Sequence, residues 1–260
     1  MKIYLLSRKL LLEISLVLVV LGSIFVSSND MGEKIQSVFN TKRELPIYYV
    51  DTKEKEIALS FDAAWGTDQT ENILDILDKY DIKTTFFLVD FWVTKHPDLV
   101  KEIDRRGHEV QNHSTTHPKM TELSREDMIK EVKTTEENIE KIIGKKTNLF
   151  RPPFGDYNDE FINTLREIDY HIIQWDVDSL DWKELGVDPV VDKVTRNVKN
   201  GSIVLFHNNA KYADEYLPKI IEKLQEENYK IVPVSELIHK EDYNMDNTGK
   251  QIKNTKPKKE

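Results

Sequence analysis

The chain of 260 residues contains no cysteine. That excludes a disulfide framework, an iron–sulfur cluster, a thiolate zinc site and a cysteine nucleophile. Positive charge is in deficit: 37 lysines and arginines stand against 46 aspartates and glutamates, a formal net charge of −9. Phosphate contact rests on Lys and Arg, so no nucleic-acid partner is expected. No G-x-G-x-x-G or G-x-x-x-x-G-K follows the first apolar strand, which argues against a nucleotide site. No repeat of 20–50 residues is evident. Against these absences stands a content of 39% hydrophobic residues, enough to close a core and to exclude a fully disordered chain.

The N-terminus reads as a separate object. Lys2, Arg8 and Lys9 precede an apolar stretch over 10–26 that is interrupted by Glu13, Ser15, Gly22 and Ser23. This is a positive n-region followed by a hydrophobic segment, shorter than a full span of about 20 residues. Val26 and Ser28 fit the −3 and −1 positions of a cleavage site, but no Ala-x-Ala is present. An uncleaved signal anchor over 1–28 is therefore favoured over a cleaved signal peptide. Either form makes the membrane a partner of this segment and places the remainder outside the cytoplasm, anchored or secreted. Residues 29–51 read as a linker, 52–239 as one catalytic domain and 240–260 as a polar, disordered tail rich in Lys, Asn and Asp.

Between linker and tail, apolar runs alternate with helical periodicity. Strands are expected at 57–61, 84–89, 109–111, 149–151, 171–177, 202–207 and 230–234. Helices are expected at 68–80, 97–106, 124–144, 158–168, 188–201 and 215–227. Ser124 with Asp127 forms a capping box, and Gly144 closes that helix. The alternation predicts an α/β fold with a parallel sheet closed into a TIM-like barrel; an open doubly wound sheet is the alternative.

In such a barrel, chemistry sits at the C-terminal ends of the strands. Asp62, His113, His117, Arg151, Asp178, Asp181 and His207 all follow predicted strands and so fall on one rim. His113 and His117, spaced i, i+4, meet on one helical turn and suit a divalent metal. Asp62 suits a general base for water or, more blandly, a helix cap. His207 suits a general acid or a structural end to its strand. Arg151 stands before a rigid Pro-Pro-Phe-Gly turn, placed to orient a carboxylate. Trp65, Trp92 and Tyr157 suit a sugar groove, with core packing as the alternative for the tryptophans.

These pieces, in this order, resemble the polysaccharide deacetylase family of carbohydrate esterases, built on the NodB-homology domain. The resembling motifs are Ser60-Phe-Asp62, His113-Ser-Thr-Thr-His117, Arg151-Pro-Pro-Phe-Gly155, Asp178-Ser-Leu-Asp181-Trp182 and Leu205-Phe-His207. The resemblance implies a distorted (β/α)7 barrel. It implies Asp62 as catalytic base, Arg151 holding that base, and His113 and His117 as metal ligands. It also implies Asp181 tuning His207 as the acid, with Trp182 and Leu205 walling an acetyl pocket. The implied reaction is hydrolysis of N-acetyl groups on a cell-wall or chitin-like polysaccharide, assisted by Zn, or by Co or Mn. The opening Phe61-Asp-Ala-Ala-Trp-Gly66 resembles the sporulation-associated peptidoglycan branch. One position departs from the family: Ala63 stands where the family places a second Asp as metal ligand, and a methyl group cannot coordinate. Two other readings compete. A glycoside hydrolase would use Asp62 with Asp178 or Asp181 as its carboxylate pair. A wall-binding pseudoenzyme would have lost its metal through Ala63.

Overall fold

The structure is a computed structural model and describes residues 43–254. Residues 44–254 belong to one compact unit. Its centre is β2 (Glu56–Ala63), an almost uninterrupted apolar strand in which every residue after Glu56 is buried. Such a strand needs neighbours on both edges and cover on both faces. It finds β3 (Thr85–Leu88) on one edge and β8 (Ile203–His207) on the other, both parallel. The sheet continues through β4 (Glu109–Asn112), β5 (Leu149–Phe150) and β6 (His171–Ile172) on the β3 side. On the β8 side it ends at β7 (Val177–Asp178), and β9 (Lys230–Ile231) pairs with the start of β2. The strand order is β6-β5-β4-β3-β2-β8-β7, all parallel and curled. The fold is a distorted (β/α)7 barrel, as expected.

Helices cover the outside of the sheet. In α1 (Thr70–Lys79) the buried face is Thr70, Ile73, Leu74 and Leu77, one stripe at helical spacing. α2 (Asp90–Lys95) and α3 (Pro97–Arg105) follow β3, with Pro97 at the first turn of α3. α4 (Arg125–Ile143) carries the expected cap: Ser124 Oγ accepts from the Asp127 N–H and Gly144 closes the helix with φ 70°. α5 (Asp159–Arg166), α6 (Val187–Thr195), α7 (Ala213–Glu226) and α8 (Val234–Leu237) complete the layer. A column of rings ties sheet to helix: Phe61 stacks on Phe86 and Phe206 with centroids 5.0 and 5.5 Å apart, and Phe206 on Tyr216 of α7 at 5.8 Å.

Three expectations need correction. The strand expected at 171–177 is split into β6 and β7. Gln174 N–H turns away to the Ile47 carbonyl, and the Asp176 carboxylate accepts from Ser202 Oγ and the Ile203 N–H. The end of the linker is part of the fold: β1 (Tyr49–Val50) lies in it, with Ile47 and Val50 buried. Gly201 makes room for it, since a Cβ there would lie 1.8 Å from the Val50 carbonyl oxygen. The polar tail is not disordered through 254. β10 (Tyr243–Met245) and β11 (Lys250–Lys253) form a hairpin that pairs with β1 in a three-stranded sheet. Backbone pairing and one buried amide hold it: Gln251 accepts from the His239 N–H at 2.7 Å and donates to its carbonyl at 2.6 Å. The expected anchor over 1–28 lies outside the described residues. Among the described residues, no helix is long and apolar enough to cross a membrane.

Gln251→Ala leaves both backbone groups of His239 unpaired. It should lower stability by about 1–3 kcal/mol in urea unfolding. An unchanged midpoint would return 240–254 to the status of a passive tail.

Candidate active site

The parallel register brings the strand ends to one level. Asp62 pairs in register with His207, Leu88 with Asn112, and Asp178 with Leu205. The groups that follow these positions open onto one cavity of about 400 Å³. Asp62, His113, His117, Trp182, Leu205 and His207 all line it. Arg151 and Asp181 stand directly behind.

Arg151 is fully buried. Its Nη1 donates to Asp62 Oδ1 at 2.8 Å, and its Nη2 donates to Ser60 Oγ at 2.8 Å and the Gln174 carbonyl at 3.4 Å. The guanidinium lies 4.2 Å from the Phe87 ring centroid. Burial alone would push the Asp62 carboxyl up. Arg151, then His113 and His207, outweigh it and hold the group below its ordinary value. Asp62 is thus ionised, with Oδ2 free of Arg151.

The two imidazoles are brought together, with ring centroids 5.0 Å apart, but not on a helical turn. They sit on a loop in which Ser114 and His117 take φ values of 74° and 59°. Glu131 of α4 holds this loop, accepting from the Thr115 and Thr116 N–H groups at 2.9 and 2.7 Å and from Thr116 Oγ1 at 2.9 Å. The i, i+4 spacing gave no hint of this anchor. His113 Nδ1 lies 2.7 Å from the Arg151 carbonyl, which can only accept, so Nδ1 carries the proton and Nε2 faces Asp62 Oδ2 at 3.5 Å. His117 lies edge-on between Trp65 and Phe154, at 4.8 and 4.6 Å. Burial pushes both imidazoles down, His117 to about 4. Both are neutral at pH 7 and offer lone pairs.

That donor set stops at two. Ala63 is fully buried in the hydrophobic core, carries no donor and does not line the cavity. Among the described residues, no group of three or more His, Asp or Glu side chains is arranged to hold a metal ion. The residues present do not fit the three-ligand site that the family pattern implies.

Across the cavity, His207 Nδ1 donates to Asp181 Oδ1 at 2.7 Å. Burial pulls His207 down; the bond to Asp181, with the charges of Asp181, Asp62 and Asp178, more than reverses it and raises the group. Asp181 also accepts from the Trp182 and His207 N–H groups, both at 2.8 Å.

The groove residues divide. Trp65 and Trp182 line the mouth and are more than half exposed. Trp92 is core; its Nε1 donates to the Gly66 carbonyl at 2.8 Å and so props the Trp65 loop. Tyr157 is a correction: it does not line the cavity, and its hydroxyl meets that of Tyr48 at 3.1 Å. The short Pro153–Gly155 turn, with Phe154 at φ 60°, presents Phe154 to the mouth instead. Trp175 also lines it, which its place inside the strand expected over 171–177 does not reveal.

A polysaccharide deacetylase sequence profile matches residues 49–173. A peptidoglycan-N-acetylglucosamine deacetylase of Bacillus cereus is 36% identical over 194 residues, covering 73% of this chain and 91% of the relative. The chain belongs to the polysaccharide deacetylase family. Bacillus subtilis PdaC, a peptidoglycan-N-acetylmuramic acid deacetylase, is 36% identical over 188 residues, but the match spans only 40% of its length. Among solved structures, the wild-type CE4 family pseudoenzyme BA3943 from Bacillus anthracis superposes with a TM-score of 0.72 at 35% identity, covering 75% of this chain and 69% of that one.

The lowered Asp62 pKa fixes a sign. Its ionised pair with Arg151 contributes stability above the ordinary carboxyl value near 3.9, lost as the pH falls through the depressed folded value. Asp62→Asn should therefore flatten the decline of the urea midpoint between about pH 5 and pH 2. An unchanged acid profile would contradict the pairing.

Proposed function

We propose that this chain is a peptidoglycan N-deacetylase of low intrinsic turnover. One observation carries the reading: Asp62, held by Arg151, and His207, held by Asp181, face one cavity, and those partners hold the carboxyl down and the imidazole up. That division assigns a base and an acid to one site. Water adds to the N-acetyl carbonyl as Asp62 takes its proton through the free Oδ2. The C–N bond then breaks, and His207 gives its proton to the departing amine. The products are acetate and a free amino sugar. Leu205 and Trp182 wall the acetyl methyl, and the exposed rings of Trp65, Phe154 and Trp182 offer flat apolar faces to pyranose rings. Positioned acid–base catalysis contributes about 10²–10⁴-fold. A resident metal would add several kcal/mol of charge stabilisation. With two imidazoles only, no step here runs through one, and the rate is correspondingly small.

Names of the relatives support peptidoglycan as the polymer. The charge pattern of residues 1–28 supports a site on the outer face of the membrane, and the Phe61–Gly66 motif supports a role in spore formation. A second reading, a wall-glycan-binding pseudoenzyme, is favoured by Ala63 and by the likeness to the Bacillus anthracis pseudoenzyme.

Acetate release from N-acetylated peptidoglycan by the full chain separates the two. Slow release that survives chelator and falls at least about 10²-fold in Asp62→Asn is expected. Glycan binding with no acetate, with or without added Zn, Co or Mn, would establish the pseudoenzyme instead. Release abolished by chelator would contradict the two-donor site.

A further inference from the structure

The Asp181 carboxylate has a partner that lies outside all five motifs. Tyr216 of α7 is buried, and its hydroxyl donates to Asp181 Oδ2 at 2.9 Å. The other oxygen, Oδ1, takes His207 Nδ1 at 2.7 Å. The Tyr216 hydroxyl and the His207 ring therefore grip opposite oxygens of one fully buried carboxylate side chain, and the His207 N–H shares Oδ2 with Tyr216. The Tyr216 ring is fixed independently, stacked on Phe206 at 5.8 Å and 14°, and Phe206 is the neighbour of His207 in β8. We infer that Tyr216 is a positioning residue for the acid, acting on His207 through Asp181, and that the relay is Tyr216–Asp181–His207. This rests on the deacetylase reading for its catalytic consequence, but not for its electrostatics.

A buried Asp with no Lys or Arg partner needs its lone pairs filled by donors. The Trp182 and His207 N–H groups supply backbone donors, and Tyr216 supplies the one side-chain hydroxyl. A hydrogen bond to an ionised acceptor draws charge toward itself, which leaves less to stabilise the imidazolium. Tyr216 thus keeps His207 from becoming too weak an acid to release its proton to the amine. The hydroxyl stays protonated throughout, since burial and the Asp181 charge raise it well above its ordinary value. The other titratable groups around the relay are Asp62 and Asp178 toward His207, Asp214 of α7 toward Tyr216, and His113 and His117 across the cavity, both neutral at pH 7.

The test is Tyr216→Phe, which keeps the ring and removes the hydroxyl. In the full chain, the ¹⁵N titration midpoint of the His207 ring should rise by about one pH unit, the equivalent of one charge-assisted hydrogen bond. The high-pH limb of acetate release should shift upward by the same amount with KM unchanged. Asp181→Asn should lower the His207 midpoint, and adding Tyr216→Phe to it should produce no upward shift, because the route runs through Asp181. A loss of thermal stability with an unmoved midpoint would reduce Tyr216 to core packing and overturn the inference, as would an upward shift that persists without Asp181. The titration needs no substrate. A moved midpoint in a protein that releases no acetate leaves the relay standing and removes the deacetylase reading.

Discussion

A fully buried arginine holding one oxygen of a buried aspartate is the constraint on which the rest of the site depends. Arg151 and Asp62 come from strand ends separated by β3 and β4 in the sheet order, so the pair forms only when the sheet is correctly curled. Removing two charges from water is expensive, and the attraction between them repays it only when the remaining donors are satisfied. Ser60, the Gln174 carbonyl and the face of Phe87 do most of that work, although the Arg151 Nε finds no partner. The same residue acts twice. Its guanidinium keeps Asp62 ionised, and its carbonyl sets which nitrogen of His113 is protonated. One side chain and one backbone atom thus set the charge of Asp62 and the tautomer of His113.

The opposite wall has its own constraint in Asp181. Four donors converge on that carboxylate, and its charge raises His207 against the pull of burial. The cavity therefore carries an ionised carboxylate on one side and a proton-retaining imidazole on the other. Among the described residues it lacks a third ligand beside the imidazoles. A methyl group at position 63 offers no donor, so the divalent charge that a third ligand would help to hold has only two imidazoles beside it among the described residues.

Much of this was legible in the chain. The motif residues lie at the ends of apolar strands, and a parallel sheet places such ends on one rim, so linear order was enough to assemble the site. The capping box at Ser124 was legible because both partners are three residues apart. The misreadings share a cause, which is that tertiary partners are invisible in a local window. Residues 240–254 look like a tail because their apolar content is low, yet backbone pairing to β1 orders them. The strand over 171–177 looks continuous until Asp176 is seen bonding to β8. His113 and His117 have helical spacing, but Glu131, distant in sequence, folds their loop. Tyr157 follows a motif yet turns toward Tyr48. Nothing near Tyr216 in sequence marks its role, because its partner Asp181 lies 35 residues away.

Asp62 and His207 hold opposite protonation states in one cavity. The most direct measurement is a single NMR sample at pH 6.5, reading the ¹³C shift of the Asp62 carboxyl and the ¹⁵N shifts of the His207 ring. At that pH an unperturbed imidazole is about half protonated. The account predicts a carboxylate at Asp62 and a His207 ring that is mostly doubly protonated. A protonated Asp62, or a His207 that is mostly neutral, would contradict it.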